Sequence, residues 1–236
     1  MRLANPAMSA APPTIVFDLD GTLVDTAPDL INALNHILAR EGLSPLPLAT
    51  ARNMIGAGAR KLLERGLEAE GRSVPLEEMN RLAADFIGYY GDNIALESRP
   101  FDGLEDALET LAVRGCRLAV CTNKLEWLSN RLLDALGLSR RFAAICGADT
   151  FGVAKPDPAI LRQTVLKAGG DIARAVMVGD AGTDVGAARR AGIPVIGCTF
   201  GYTDVPIAEL NPDGLIHHMK ELPAAVEALG IFQKIS

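Results

Sequence analysis

Thr14-Ile15-Val16-Phe17-Asp18-Leu19-Asp20-Gly21-Thr22 decides the fold. Four apolar or β-branched residues run without interruption and stop at an aspartate, which reads as a short strand buried on both faces with its carboxyl end at a polar edge. The pattern returns at Leu118 to Cys121, Ala143 to Cys146, Ala175 to Val178 and Val195 to Cys198. Helical periodicities separate these runs: Leu125, Leu128, Leu132 and Leu136 in one, and Ile160, Val165 and Leu166 in another. Alternating strands and helices predict an α/β chain with a parallel sheet. Pro156 and Pro158 suit the first turn of a helix, and Gly115, Gly137 and Gly192 stand where helices should stop.

From Val24 to Ser98 the rhythm breaks. No strand pattern is evident there, and helical faces begin with Leu30, Leu34, Ile37 and Leu38. Arg99-Pro100-Phe101-Asp102-Gly103 punctuates the return. The expected organisation is a discontinuous core of residues 1–23 and 99–236, with residues 24–98 as a helical cap over the first strand.

Composition narrows the function. Lys plus Arg (23) against Asp plus Glu (29) gives a net charge of −6, which argues against a nucleic-acid partner needing a basic face. Hydrophobic residues at 49% and charged ones at 22% exclude wholesale disorder. Cys116, Cys121, Cys146 and Cys198 are widely spaced and read as buried thiols of a cytoplasmic protein. No stretch is suited to crossing a bilayer, so no membrane partner is expected. The piece up to Pro13, broken by Pro6, Pro12 and Pro13, lacks a signal-peptide core and reads as a frayed tail.

Ligands of open parallel sheets bind beyond the carboxyl ends of the strands, where this chain places Asp18 and Asp20, Thr122-Asn123-Lys124, and Gly179-Asp180 followed by Asp184; Lys155 precedes another helix. Any one acidic residue here reads equally as a cap or turn former. Four gathered carboxylates would repel one another in a desolvated cleft, so the set calls for a cation. Oxygen ligands without His or Cys suit Mg²⁺, with substrate phosphate completing the shell. Thr122 and Lys155 suit phosphoryl oxygens.

Asp18-Leu19-Asp20-Gly21-Thr22, Thr122, Lys155 and Gly179-Asp180-x-x-x-Asp184, in that order, resemble the four motifs of the haloacid dehalogenase-like (HAD) phosphatases. Asp25-Thr26, Ile55-Gly56-Ala57-Gly58 and Phe200-Gly201-Tyr202-Thr203-Asp204 further resemble the bacterial phosphoglycolate phosphatases. The resemblance implies a Rossmann-like core with an inserted cap, and a phosphatase that hydrolyses 2-phosphoglycolate, a small phosphorylated metabolite. It implies Asp18 as nucleophile and Asp20 as acid and base. Mg²⁺ would be held by Asp18, the Asp20 carbonyl and Asp180, with Asp184 behind them. Thr122, the Asn123 amide and Lys155 would hold the phosphoryl group. The chain departs at Ala181, where many relatives carry serine.

Gly56 and Gly58 precede a helical pattern with Leu62, Leu63 and Leu67. With Arg60 and Lys61 beside it, this is either a carboxylate seat or an ordinary glycine turn with solvated charges. Trp127 and the Tyr89-Tyr90 pair read as packing residues, Trp127 partly buried; His36, His217 and His218 show no metal pattern. Other small-ester phosphatases, phosphomutases and pyrophosphatases share the scaffold, and dehalogenation is disfavoured by the phosphate ligands. A phospho-accepting receiver uses similar residues but has no cap and no second aspartate two positions after the first.

Overall fold

A computed structural model describes residues 11–203 and 205–232. Residues 1–10 of the expected tail and Asp204 of the Phe200–Asp204 motif lie outside the described residues. The order is β1 (Thr14–Phe17), β2 (Val24–Asp25), α1 (Ala27–Arg40), α2 (Leu48–Ala51), α3 (Ala59–Ala69), α4 (Leu76–Asp92), β3 (Arg99–Pro100), α5 (Leu104–Val113) and β4 (Arg117–Cys121). There follow α6 (Glu126–Ala135), β5 (Ala144–Cys146), α7 (Pro158–Lys167), β6 (Ala175–Gly179), α8 (Gly182–Ala191), β7 (Val195–Cys198), β8 (Gly214–Ile216) and α9 (Leu222–Ala228).

Six strands form one sheet in the order β5-β4-β1-β6-β7-β8, and every neighbouring pair is parallel. β1 is central because all four of its side chains are buried, so only a strand covered on both faces can accommodate it. Alternation sends Ile15 and Phe17 to one face, with the apolar sides of α5, α6 and α9; Val16 goes to the other, with α7 and α8. The four cysteines are buried free thiols.

Several details differ from the sequence reading. α7 starts at Pro158 with Asp157 as its cap, the carboxylate accepting from the Ala159 amide at 2.8 Å, so Pro156 precedes the helix. The buried face of α7 is Ile160, Leu161, Thr164 and Val165; Leu166, placed on that stripe by sequence, is exposed. Trp127 is partly buried, as expected, with its ring edge against Gly91 of α4.

The helical segment leaves and rejoins the sheet through β2 and β3, an antiparallel pair of two residues each, Val24 opposite Pro100 and Asp25 opposite Arg99. Two residues are too few to show a periodicity, so this pair was invisible in the sequence. Asp29, buried on α1, reinforces the junction: its carboxylate accepts from the Ser98 amide at 2.8 Å, the Ser98 hydroxyl at 2.6 Å and the Glu97 amide at 3.1 Å. Hydrogen bonds to a buried charge contribute about 1.5–3 kcal/mol each, and their loss leaves the donors unpaired. Asp29→Ala is therefore expected to destabilise the fold by about 3 kcal/mol, lowering Tm by roughly 6–12 °C. A melting curve matching the unmodified protein would show that the junction does not depend on this carboxylate.

Candidate active site

β1 lies between β4 and β6, so the carboxyl ends of these strands bring their polar residues to one place. Oxygens of Asp18, Asp180 and Asp184 lie within 4.8 Å of one another, and all three residues are buried. Lys155 enters from the loop before α7. Its ammonium lies 2.8 Å from Asp18 Oδ1 and 2.6 Å from Asp184 Oδ1. Asp18 Oδ1 also accepts from the Leu19 amide at 2.7 Å. Asp180 accepts from the Thr22 hydroxyl at 2.8 Å and the Tyr202 amide at 2.6 Å. The backbone closes tightly around it: a side chain at Gly21 or Gly201 would run into the Asp180 carboxylate.

Three buried carboxylates thus meet one ammonium. Burial pushes Asp18 up to about 6, against the pull of Lys155 and with the repulsion of Asp184. Asp180 is raised well above the usual carboxylate range by burial, then by Asp18 and Asp184. Burial opposes the Lys155 charge, but Asp18 and Asp184 outweigh it and hold the ammonium above its ordinary pKa. The arrangement is short of positive charge and offers only hard oxygen donors, so the residues fit a small divalent cation. Asp184, like Asp180, has both oxygens engaged, since its second oxygen accepts from the Ala181 amide at 3.0 Å. Ala181 supplies that amide from the start of α8, and a Cβ at Gly56 would lie 3.8 Å from its own.

Asp20 stands apart from this cluster. Its carboxylate accepts from the Thr26 hydroxyl at 2.7 Å and from Lys124 Nζ at 2.8 and 3.0 Å. Lys124, to which the sequence reading gave no role, is buried. Its position two residues after Thr122 was the available signal, because alternate residues of an extended chain share a side. The Thr122 hydroxyl accepts from the Lys124 amide at 3.2 Å. The Asn123 side chain faces Lys155 instead of the cleft: its amide nitrogen donates to the Lys155 carbonyl at 3.1 Å, and its oxygen accepts from the Lys155 amide at 2.8 Å.

A cavity of about 260 Å³ opens above these groups, lined by Asp18, Asp20, Thr122 and Asn123 below and by Gly56, Gly58, Arg60, Phe86 and Tyr90 above. Gly58 caps α3 with φ +88°, and a Cβ there would lie 3.3 Å from the Asn123 carbonyl; this close approach and left-handed backbone favour glycine. The glycine turn therefore faces the cleft. Arg60 reaches the cavity, but its guanidinium donates to Asn80 at 2.8 Å and pairs with Glu64 at 3.5 Å. Lys61 pairs with Glu64 at 3.0 Å and is not among the lining residues.

Two motifs unconnected in the sequence meet beside the β2–β3 pair. The Tyr202 hydroxyl donates to Asp25 at 2.5 Å and accepts from the Ala27 amide at 3.1 Å. Arg52 pairs with the same carboxylate at 2.8 Å, with its guanidinium 4.8 Å from the Tyr202 ring centre. The histidines lie elsewhere: His36 stacks on Tyr89 with ring centres 3.8 Å apart, His217 contacts Thr199, and His218 accepts from the Lys220 amide.

A sequence model of haloacid dehalogenase-like hydrolases matches residues 15–198. A phosphoglycolate phosphatase of Mesorhizobium japonicum is 49% identical over 210 residues, covering 89% of this chain and 92% of that protein. One from Caulobacter vibrioides is 50% identical over 212 residues, covering 90% of each. The crystal structure of a predicted phosphoglycolate phosphatase from Haemophilus somnus superposes with a TM-score of 0.84 at 31% identity, covering 90% of this chain and 97% of the other.

The charge imbalance has a measurable consequence. Without a cation, Asp18 binds its proton more tightly folded (about 6) than at its ordinary 3.8. Its contribution to stability is therefore complete below pH 4 and is lost as pH rises through 6, a change of about 3 kcal/mol. A divalent cation competes with that proton, so Mg²⁺ should raise Tm more at pH 7.5 than at pH 5. Equal Tm shifts at the two pH values, or none, would contradict this account.

Proposed function

The chain belongs to the haloacid dehalogenase-like hydrolases, and on that premise we propose that it hydrolyses 2-phosphoglycolate to glycolate and inorganic phosphate, with Mg²⁺, through an aspartyl-phosphate on Asp18. The observation that carries this reading is the trio of buried carboxylates gathered with Lys155, one of which, Asp18, lines a small cavity. It is a phosphoric monoester hydrolase, as the names of relatives about half identical over nine-tenths of the chain support.

Asp18 and Asp180, with the Asp20 carbonyl, would hold Mg²⁺, and Asp184 would stand behind them. Bound there, the ion would screen the repulsion between the attacking carboxylate and a dianionic phosphoryl group. Asp18 Oδ1 is held by Leu19 and Lys155, and Oδ2 is the oxygen assigned to attack phosphorus. The new bond from Asp18 to phosphorus forms as the ester bond breaks, and the departing glycolate oxygen takes a proton from Asp20. Asp20, now a carboxylate, takes a proton from water as that water attacks phosphorus, and the Asp18 bond breaks to release phosphate. Thr122 retains its hydroxyl hydrogen for a phosphoryl oxygen, the Asn123 amide and the Lys155 ammonium steady the others, and the Asn123 side chain fixes the Lys155 loop.

The proposed division is a catalytic core of residues 1–23 and 99–236 and a moving cap of residues 24–98, with the β2–β3 pair as hinge. Carboxylate selection falls to the cap wall, where Gly56 and Gly58 present the start of α3 and Arg60 stands beside them. No helix among the described residues is long and apolar enough to cross a membrane, and the proposed setting is the cytoplasm, with a small phosphorylated metabolite as partner.

A phosphate-ester screen with Mg²⁺, ranked by kcat/KM, tests the substrate: 2-phosphoglycolate is expected to lead, and a hexose phosphate or pyrophosphate above it would overturn the assignment. Asp18→Asn should abolish turnover while keeping or raising Tm, because it removes a repelled charge. Asp20→Asn should lower turnover by about 10²- to 10⁴-fold, more for alkyl than for aryl phosphates. Equal losses on the two ester types would assign Asp20 a structural role.

A further inference from the structure

Tyr90 sits on α4, is almost completely buried and lines the cavity. Its hydroxyl oxygen is buried without a hydrogen-bond partner. Such a group costs roughly 1–3 kcal/mol to bury unpaired, and a phenylalanine would fill the same volume without that cost. The neighbouring wall is apolar, formed by Leu30, Phe86, Ile87 and Leu128, and the Phe86 ring lies nearly parallel to that of Tyr90, 6.2 Å away. Packing gives no reason for an oxygen here.

A cation stands beside it, Lys124, whose ammonium lies 4.6 Å from the Tyr90 ring centre. Lys124 directs hydrogens to the two oxygens of Asp20 and also acts on the Tyr90 phenol. An unpaired hydroxyl and a buried cation thus share the wall of the cavity at the junction of cap and core. Their chemistry suits an anion with two acceptor oxygens. The other side chain that could serve, Arg60, has its guanidinium on Asn80 and Glu64.

We propose that the Tyr90 hydroxyl determines specificity by donating to the carboxylate of the substrate, with the Lys124 ammonium as its charged companion; the proposal rests on the substrate reading above. Burial holds the Tyr90 phenol up at about 12, with Lys124 pulling it down and Asp20 raising it, so it keeps its hydrogen at neutral pH and serves as a donor. Because Tyr90 belongs to the cap and Lys124 to the core, a ligand bridging them would also draw the cap down. The carboxylate would then report to the cap that the correct ester is in place. Gly56, Ala57 and Gly58 line the same cavity, and their amides are further donors available to the ligand.

Tyr90→Phe tests this with two esters of similar size, 2-phosphoglycolate and ethyl phosphate, assayed with Mg²⁺ on the unmodified protein and the variant. The preference for phosphoglycolate in kcat/KM is expected to fall about tenfold or more in the variant, mainly through KM, as loss of one hydrogen bond to a charged group predicts. Tm of the ligand-free variant should be unchanged or higher, because an unpaired buried oxygen has been removed. A preference retained within twofold, or equal losses on both esters with a lowered Tm, would overturn the role of Tyr90 and leave the substrate assignment intact. An unmodified protein that does not distinguish the two esters would overturn both.

Discussion

The Lys155 ammonium between Asp18 and Asp184, with Asp180 alongside, is the interaction on which the site depends. A lysine with no exposed side-chain surface is tolerable only where carboxylates surround it, and these carboxylates are tolerable together only with that ammonium among them. Their positions come from the sheet. Parallel order puts β1 between β4 and β6, so the first strand delivers Asp18, the last of the three delivers Asp180, and α8 returns Asp184 beneath them. The loop carrying Lys155 has no strand to fix it, and Asn123 supplies that constraint through two hydrogen bonds to its backbone.

The residual negative charge explains much of the surrounding detail. Gly21 and Gly201 leave no room beside Asp180, so its orientation is set by the Thr22 and Tyr202 donors. Tyr202 then carries this order outward: its amide holds Asp180, and its hydroxyl holds Asp25 of β2, to which Arg52 also binds. A single residue thereby touches both the charged cluster and the segment where the cap leaves the core.

The core half of the site was legible because it breaks local rules. Aspartates at the ends of apolar strands at Asp18 and Asp180 conflict with burial, and such conflicts mark function. Three of the five expected strands start as read, at Thr14, Ala175 and Val195, and the other two start one residue away, at Arg117 and Ala144. What escaped depended on contacts between distant segments. A lysine after Thr122-Asn123 looks like an ordinary exposed residue until the fold puts Asp20 opposite it. Of the adjacent pair Tyr89 and Tyr90, helix register sends one to stack on His36 and the other to the cavity, and no local signal tells them apart. Leu166 was misplaced for the converse reason. Leu161 completes the buried stripe of α7, and a loosely periodic run admits both assignments.

Core and cap divide the chemical problem by dielectric environment. The core concentrates charge in rigid strand ends, where donors need no reorganisation as phosphorus changes geometry. The cap brings mostly apolar side chains, Leu30, Ile55, Leu62, Phe86 and Ile87, over the same space, and excluding water there strengthens every charged contact below. An apolar lid alone would favour any small ester equally. Discrimination therefore requires a few polar groups in the lid, left without protein partners so that a ligand can satisfy them. The unpaired Tyr90 hydroxyl and the amides at the start of α3 meet that requirement. On the role proposed for Tyr90, the stability sacrificed by burying an unpaired donor is recovered only when the ligand supplies its acceptor, which would make closure of the cap conditional on what the cavity contains.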